Sequence, residues 1–67
     1  MAATLLELSN GERFSVEGDL ESVEKSLSDA ARSGSRLARF KEADSGEVIA
    51  VNPDHVAALR PGGAGRR

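Results

Sequence analysis

A single helical stripe stands between segments patterned for short strands, and that arrangement limits the folds open to this chain. In "GDLESVEKSLSDAARSG" (Gly18–Gly34), Leu20, Val23, Leu27, Ala30 and Ala31 recur at spacings that gather side chains on one helix face. Asp19 is placed to cap the first turn by accepting from amide hydrogens that have no partner inside the helix. Glu21 and Glu24 suit the positive end of the helix, and Arg32 the negative end. Gly34 fits the left-handed position that often follows a last turn. The spacing predicts one amphipathic helix over about 19–33.

The flanking segments alternate with the period of strands. In "TLLEL" (Thr4–Leu8), Thr4, Leu6 and Leu8 share one face; in "RFSVE" (Arg13–Glu17), Phe14 and Val16 do. Asn10-Gly11 between them predicts a two-residue type I′ hairpin turn, in which both residues take positive φ. After the helix, "RLARF" (Arg36–Phe40) alternates again, and "KEADSGE" with Gly46 supplies a hairpin loop. "EVIAV" (Glu47–Val51) is nearly continuous apolar, as a strand buried on both faces would be. "NPDH" predicts a turn in which Asn52 starts, Pro53 fixes φ and Asp54 bonds back to the backbone. "VAALR" (Val56–Arg60) is a short closing strand. The chain thus divides into a domain over 1–60 and a tail over 61–67, "PGGAGRR", expected to be disordered because it has no pattern to bury.

The order β-β-α-β-β-β specifies an α+β, mainly β fold. Strands this short must curl to cover a core, as a small, partly open barrel or as a bent antiparallel sheet with the helix across one end. A strand, one tight 3₁₀-like turn and a short closing strand favour the SH3-like or Sm-like barrel.

The core available to such a fold is poor. Phe14 and Phe40 are the only aromatics among 67 residues, which places the chain near the lower limit for independent stability. No cysteine is present, so disulfides and thiolate metal sites are excluded, and one histidine cannot build a multi-His zinc site. No cofactor is expected, and association with a further copy or a protein partner is a reasonable source of added stability. "MAATLLEL" lacks the basic start and unbroken apolar run of a signal peptide. No stretch approaches the roughly 20 apolar residues of a membrane span. The expected compartment is the cytoplasm.

Asp54–His55 is the one pairing that suggests an acid–imidazole site. Neighbours at i and i+1 normally point apart, and no nucleophile pattern accompanies them. The turn reading is therefore preferred, with His55 at the mouth of the last strand. Glu21, Glu24 and Lys25 fit a solvated helix face with an i,i+4 pair. No calcium loop, phosphate-cradling glycine loop or dinucleotide fingerprint occurs, so no enzymatic activity is expected.

Charge is uneven. The net charge is −2, yet residues 1–30 carry seven acids and two bases, and 31–67 carry four acids and seven bases. Arg32, Arg36, Arg39 and Lys41, with Arg60 beyond them, are candidate contacts to an anion or an acidic partner. Arg39 is alternatively placed to pair with Glu42 or Glu47 across a hairpin. Single-strand recognition ordinarily uses aromatic stacking platforms, and both Phe residues are needed for the core. An acidic helix meeting the basic third strand of a second copy is also electrostatically sensible. The leading expectation is a non-enzymatic interaction module that self-associates or docks on a protein. The second is an Sm-like binder of RNA or single-stranded nucleic acid through 32–41.

"ARFKEADSGEVIAVNPDHVAAL" (Ala38–Leu59) resembles small bacterial barrel domains that end in a strand, an Asn-Pro-Asp turn and a valine- or isoleucine-bearing final strand. With the preceding hairpin and helix, the layout from Leu5 to Leu59 is similar to that of small uncharacterised actinobacterial proteins, and the Ala/Arg/Gly-rich composition suits a GC-rich source. The resemblance implies a fold and transfers no active site.

Overall fold

The computed structural model describes residues 2–34 and 36–62. Strands β1 (Ala3–Leu8) and β2 (Arg13–Glu17) form a hairpin, followed by helix α1 (Leu20–Arg32). A second hairpin follows, β3 (Ala38–Lys41) and β4 (Val48–Val51), then a 3₁₀ turn (Pro53–His55) and β5 (Val56–Pro61). The fold is α+β and mainly β, as expected. Its strands lie in two antiparallel sheets, β2-β1-β5 and β3-β4, which do not close on one another. They are joined at one side, where Val16 bridges Glu42 and the Ala43 amide donates to the Ser15 carbonyl at 2.8 Å.

The hairpin at Asn10-Gly11 forms with a different turn from the one expected. Gly11 alone takes positive φ, 94°, and its amide donates to the Leu8 carbonyl at 3.0 Å. This is the pattern of a three-residue loop with a glycine bulge. The Glu12 amide then turns to the Asn10 side-chain oxygen at 3.0 Å, so Asn10 serves the turn through its side chain and not through a left-handed backbone.

Helix α1 begins where the capping residue predicts. Asp19 accepts from the Ser22 amide at 2.8 Å. That bond, with a smaller contribution from the Ser22 hydroxyl, holds the Asp19 carboxyl below its ordinary 3.8. A folded-state value below the unfolded one means the carboxylate's stabilisation is complete above about pH 4 and is lost as pH falls through the folded value. Asp19→Asn is expected to keep a cap but flatten this part of the acid limb, read as far-UV circular dichroism against pH. An unchanged acid limb would contradict that assignment. Gly34 does not supply the expected left-handed stop. Ser33 ends the helix, its amide and hydroxyl both returning to the Ala30 carbonyl, at 3.1 and 3.0 Å.

The core is small and drawn from every layer. Leu6 and Val16 from the first hairpin meet Val23, Leu27 and Ala30 from α1, and Ala38, Phe40 and Val51 close it from the second hairpin. The helical stripe is narrower than predicted: Ala31 is exposed and Leu20 half-buried. Thr4 is the buried polar residue among those described, and its hydroxyl donates to the Gly18 carbonyl at 2.9 Å.

Two strand expectations need correction. β3 starts at Ala38 and not at Arg36, because Arg36 takes a left-handed φ of 56°, which no strand accommodates. β4 is not buried on both faces. It pairs only with β3 among the described residues, and Val48 and Ala50 face outward while Val51 points to the core. That outer face is open: Val48 is 64% exposed, and Ala50 is exposed beside it. β5 runs one residue past Arg60, to Pro61, and the Gly62 amide donates to the Ala3 carbonyl at 2.7 Å. The remainder of the tail, 63–67, lies outside the described residues.

Candidate functional site

An open groove of about 590 Å³ lies between the tip of the first hairpin and β4. Its apolar wall is Leu8, Phe14, Ile49 and Val51, and its polar rim includes Asn10, Asn52 and His55. Each is placed by local structure. Leu8 and Phe14 sit at the hairpin end, where the core thins and the two sheets diverge, so both remain half-buried. Asn52 caps the 3₁₀ turn by accepting from the Asp54 amide at 2.9 Å. The turn-stabilising side chain is thus Asn52, not Asp54 as the sequence suggested. The His55 carbonyl accepts from the Ser9 amide at 2.8 Å, tying the 3₁₀ turn to the first hairpin across the end of the groove.

Ile49, Ala50, Val51 and Asn52 are consecutive, yet all border the groove. Successive strand side chains point to opposite faces, so four neighbours cannot all reach it by side chain. Ala50 lies opposite Arg39 on the outer face, so it borders the groove through its main chain. The hydrogen-bond phase agrees. The Glu42 amide donates to the Glu47 carbonyl at 2.8 Å, and antiparallel pairs alternate, so Ile49 and Val51 bond to β3. The amide and carbonyl groups of Val48 and Ala50 are then directed to the free edge.

The cations singled out in the sequence are not gathered in one place. Arg39 and Lys41 share the outer face of β3, opposite Ala50 and Val48. Arg32 ends α1. Arg36 approaches Asp54 at 4.0 Å, an exposed pair worth about 0–1 kcal/mol at most. Arg60 belongs to the other sheet, opposite Leu5. Arg39 pairs with neither Glu42 nor Glu47, and Glu21 does not pair with Lys25; the other ion pair among the described residues is Arg13–Glu7 at 3.6 Å. Asp54 and His55 form no dyad: Asp54 faces Arg36, and His55 faces the groove.

Asn10, Asn52 and His55 stand out in the sequence, the first two as turn formers only, and Phe14 reads there as a core residue. The uncharged run Val48–Val51 was the available signal for an edge, but it reads equally well as a buried strand. His55→Ala is expected to leave the thermal midpoint within about 3 °C of the parent, because an exposed side chain contributes little and its main-chain bonds are kept. A cooperative transition lowered by more than about 10 °C would show that the imidazole holds the turn.

Among the described residues no cluster of His, Asp or Glu is arranged to hold a metal ion, and no helix is long and apolar enough to cross a membrane. No family model, curated protein or solved structure matches the chain.

Proposed function

We propose that this chain is a non-enzymatic interaction module that takes an added extended strand along the free edge of β4. The observation that carries this reading is the position of that edge beside an apolar groove. Main-chain groups of Val48 and Ala50 are available for pairing, and Leu8, Phe14 and Ile49 offer a trough for alternate side chains of the incoming strand. Strand addition draws affinity from the main chain and selectivity from such pockets. The layout is read as an SH3-like or Sm-like partly open barrel. Strand adjacency runs β5-β1-β2 and, through the Val16–Glu42 bridge, to β3-β4, with a 3₁₀ turn between β4 and β5.

The test is selection of peptides from a random display library, followed by an amide-resolved NMR titration. The expected binders alternate apolar and polar residues and shift the signals of Val48–Asn52, Leu8 and Phe14. Binders that shift only residues elsewhere, or no binder tighter than about 1 mM, would overturn the reading.

Arg39 and Lys41, side by side on β3, favour a second reading as a nucleic-acid contact. Affinity for single-stranded RNA would then fall steeply with salt, and Arg39→Glu would remove it. The first reading is preferred because the five candidate cations are spread over both sheets, the helix end and a loop.

A further inference from the structure

We infer that the strand added to β4 is β4 of a second copy, paired antiparallel about a twofold axis through Ile49. The inference rests on the docking reading above and names the occupant of that edge.

Exposed sheet edges ordinarily carry a charge, a proline, a bulge or a cover. Val48-Ile49-Ala50-Val51 has no charge and no proline. Leu37 and Val48 are the large apolar residues left most exposed among those described, at 48% and 64%, and both belong to this hairpin or its approach. The strand also carries its own complement. Residues facing one another across an antiparallel pair share a sheet face, so only axes through a residue preserve the inner and outer faces of both copies. An axis through Ile49 sets Val48 of each copy opposite Ala50 of the other. These are the two residues whose main-chain groups point outward, so the pairing makes four new backbone hydrogen bonds. It also sets a large side chain against a small one on the outer face, twice. Ile49 meets its own counterpart on the inner face, where the two grooves join. Glu47 falls opposite Val51, so no like charges oppose one another along the strand. An axis through Ala50 would place Val48 against Asn52, and one through Val48 would place Ile49 against Glu47 and Ala50 against Gly46, so the Ile49 axis alone keeps Val48, Ile49 and Ala50 all paired within the uncharged run.

The register makes the test specific. The chain has no cysteine, so a single introduced thiol reports one distance. A non-hydrogen-bonded antiparallel pair holds its Cα atoms about 4.5 Å apart, within disulfide range. Ile49→Cys is expected to give a covalent dimer under mild oxidation. Ala50→Cys is not, because its counterpart lies two residues away along the partner strand. Because Ile49 is half-buried, native mass measurements on outer-face variants stand beside the crosslink. The unaltered chain is expected to be dimeric at tens of micromolar. Val48→Glu should weaken association roughly tenfold or more, and Val48→Glu with Ala50→Lys should recover most of it, since each introduced acid then faces an introduced base. A chain monomeric up to about 1 mM, equal crosslinking at 49 and 50, or a double variant no better than Val48→Glu would overturn the twofold pairing. A monomer that still binds selected peptides along β4 would overturn this inference while leaving the docking reading in place.

Discussion

Leu6→Ala is expected to lower the thermal midpoint by on the order of 10–30 °C, or to abolish the cooperative transition altogether. Leu6 is fully buried at the centre of β1, between β2 and β5 and beneath α1. Emptying such a site costs about 2–5 kcal/mol, the lost transfer term plus the cavity left behind. A chain of this size has a total stability of only about 3–10 kcal/mol. The ratio is unfavourable because the core is so short: Leu6 in β1 and Val16 in β2 are the first sheet's buried apolar residues among those described, with Leu8, Phe14, Val56 and Leu59 only partly buried beside them. Leu37→Ala removes a side chain of the same type from an exposed position and should move the midpoint by no more than about 4 °C. Comparable shifts in the two variants, by calorimetry or denaturant titration, would show that the core has been placed wrongly.

Gly18→Ala is the second large effect, expected to cost about 1–3 kcal/mol. Gly18 has φ of 113°, which a residue with a Cβ rarely adopts. Space is not the difficulty, since an added Cβ would sit 3.6 Å from Val23 Cγ2, an ordinary contact. The backbone is held in place from both sides. The Gly18 amide donates to the Ala2 carbonyl at 3.1 Å, and its carbonyl accepts from the buried Thr4 hydroxyl at 2.9 Å. Relaxing φ would turn that carbonyl away and leave the Thr4 hydroxyl without its partner. Gly34→Ala provides the contrast: its φ is not positive and no atom lies within 4 Å of the added Cβ. Equal losses at 18 and 34 would contradict the backbone explanation.

These two sites also mark what the sequence made legible. Leu6 was readable because β1 alternates, and alternation reports which face is buried without knowledge of what buries it. The same logic located β2, α1 and its Asp19 cap, and the turn before β5. Gly18 was read only as the residue ahead of the helix. Its need for positive φ arises from Thr4, fourteen positions earlier, and no local pattern encodes that bond. Val48–Val51 failed for a related reason. Four successive apolar residues lack the alternation that tells inside from outside, and only the open outer face of β3-β4 decides it. The groove follows from the same divergence of the sheets. Its residues come from β1, β2, β4 and the loops beside them, and their meeting is a property of the tertiary arrangement. The basic cluster was legible as composition but misleading as geometry, because nearness along 32–41 did not become a shared surface.

A strand added to the outer edge of β4 would pair with the main chain of Val48 and Ala50. The most direct measurement is amide hydrogen exchange at Val48 and Ala50, resolved by NMR and followed over a wide range of protein concentration. With strand addition these two amides, which bond to nothing among the described residues, become progressively protected as concentration rises, while Ile49 and Val51, already bonded to β3, change far less. Protection at Val48 and Ala50 that stays the same at every concentration, with or without a selected peptide, would contradict it.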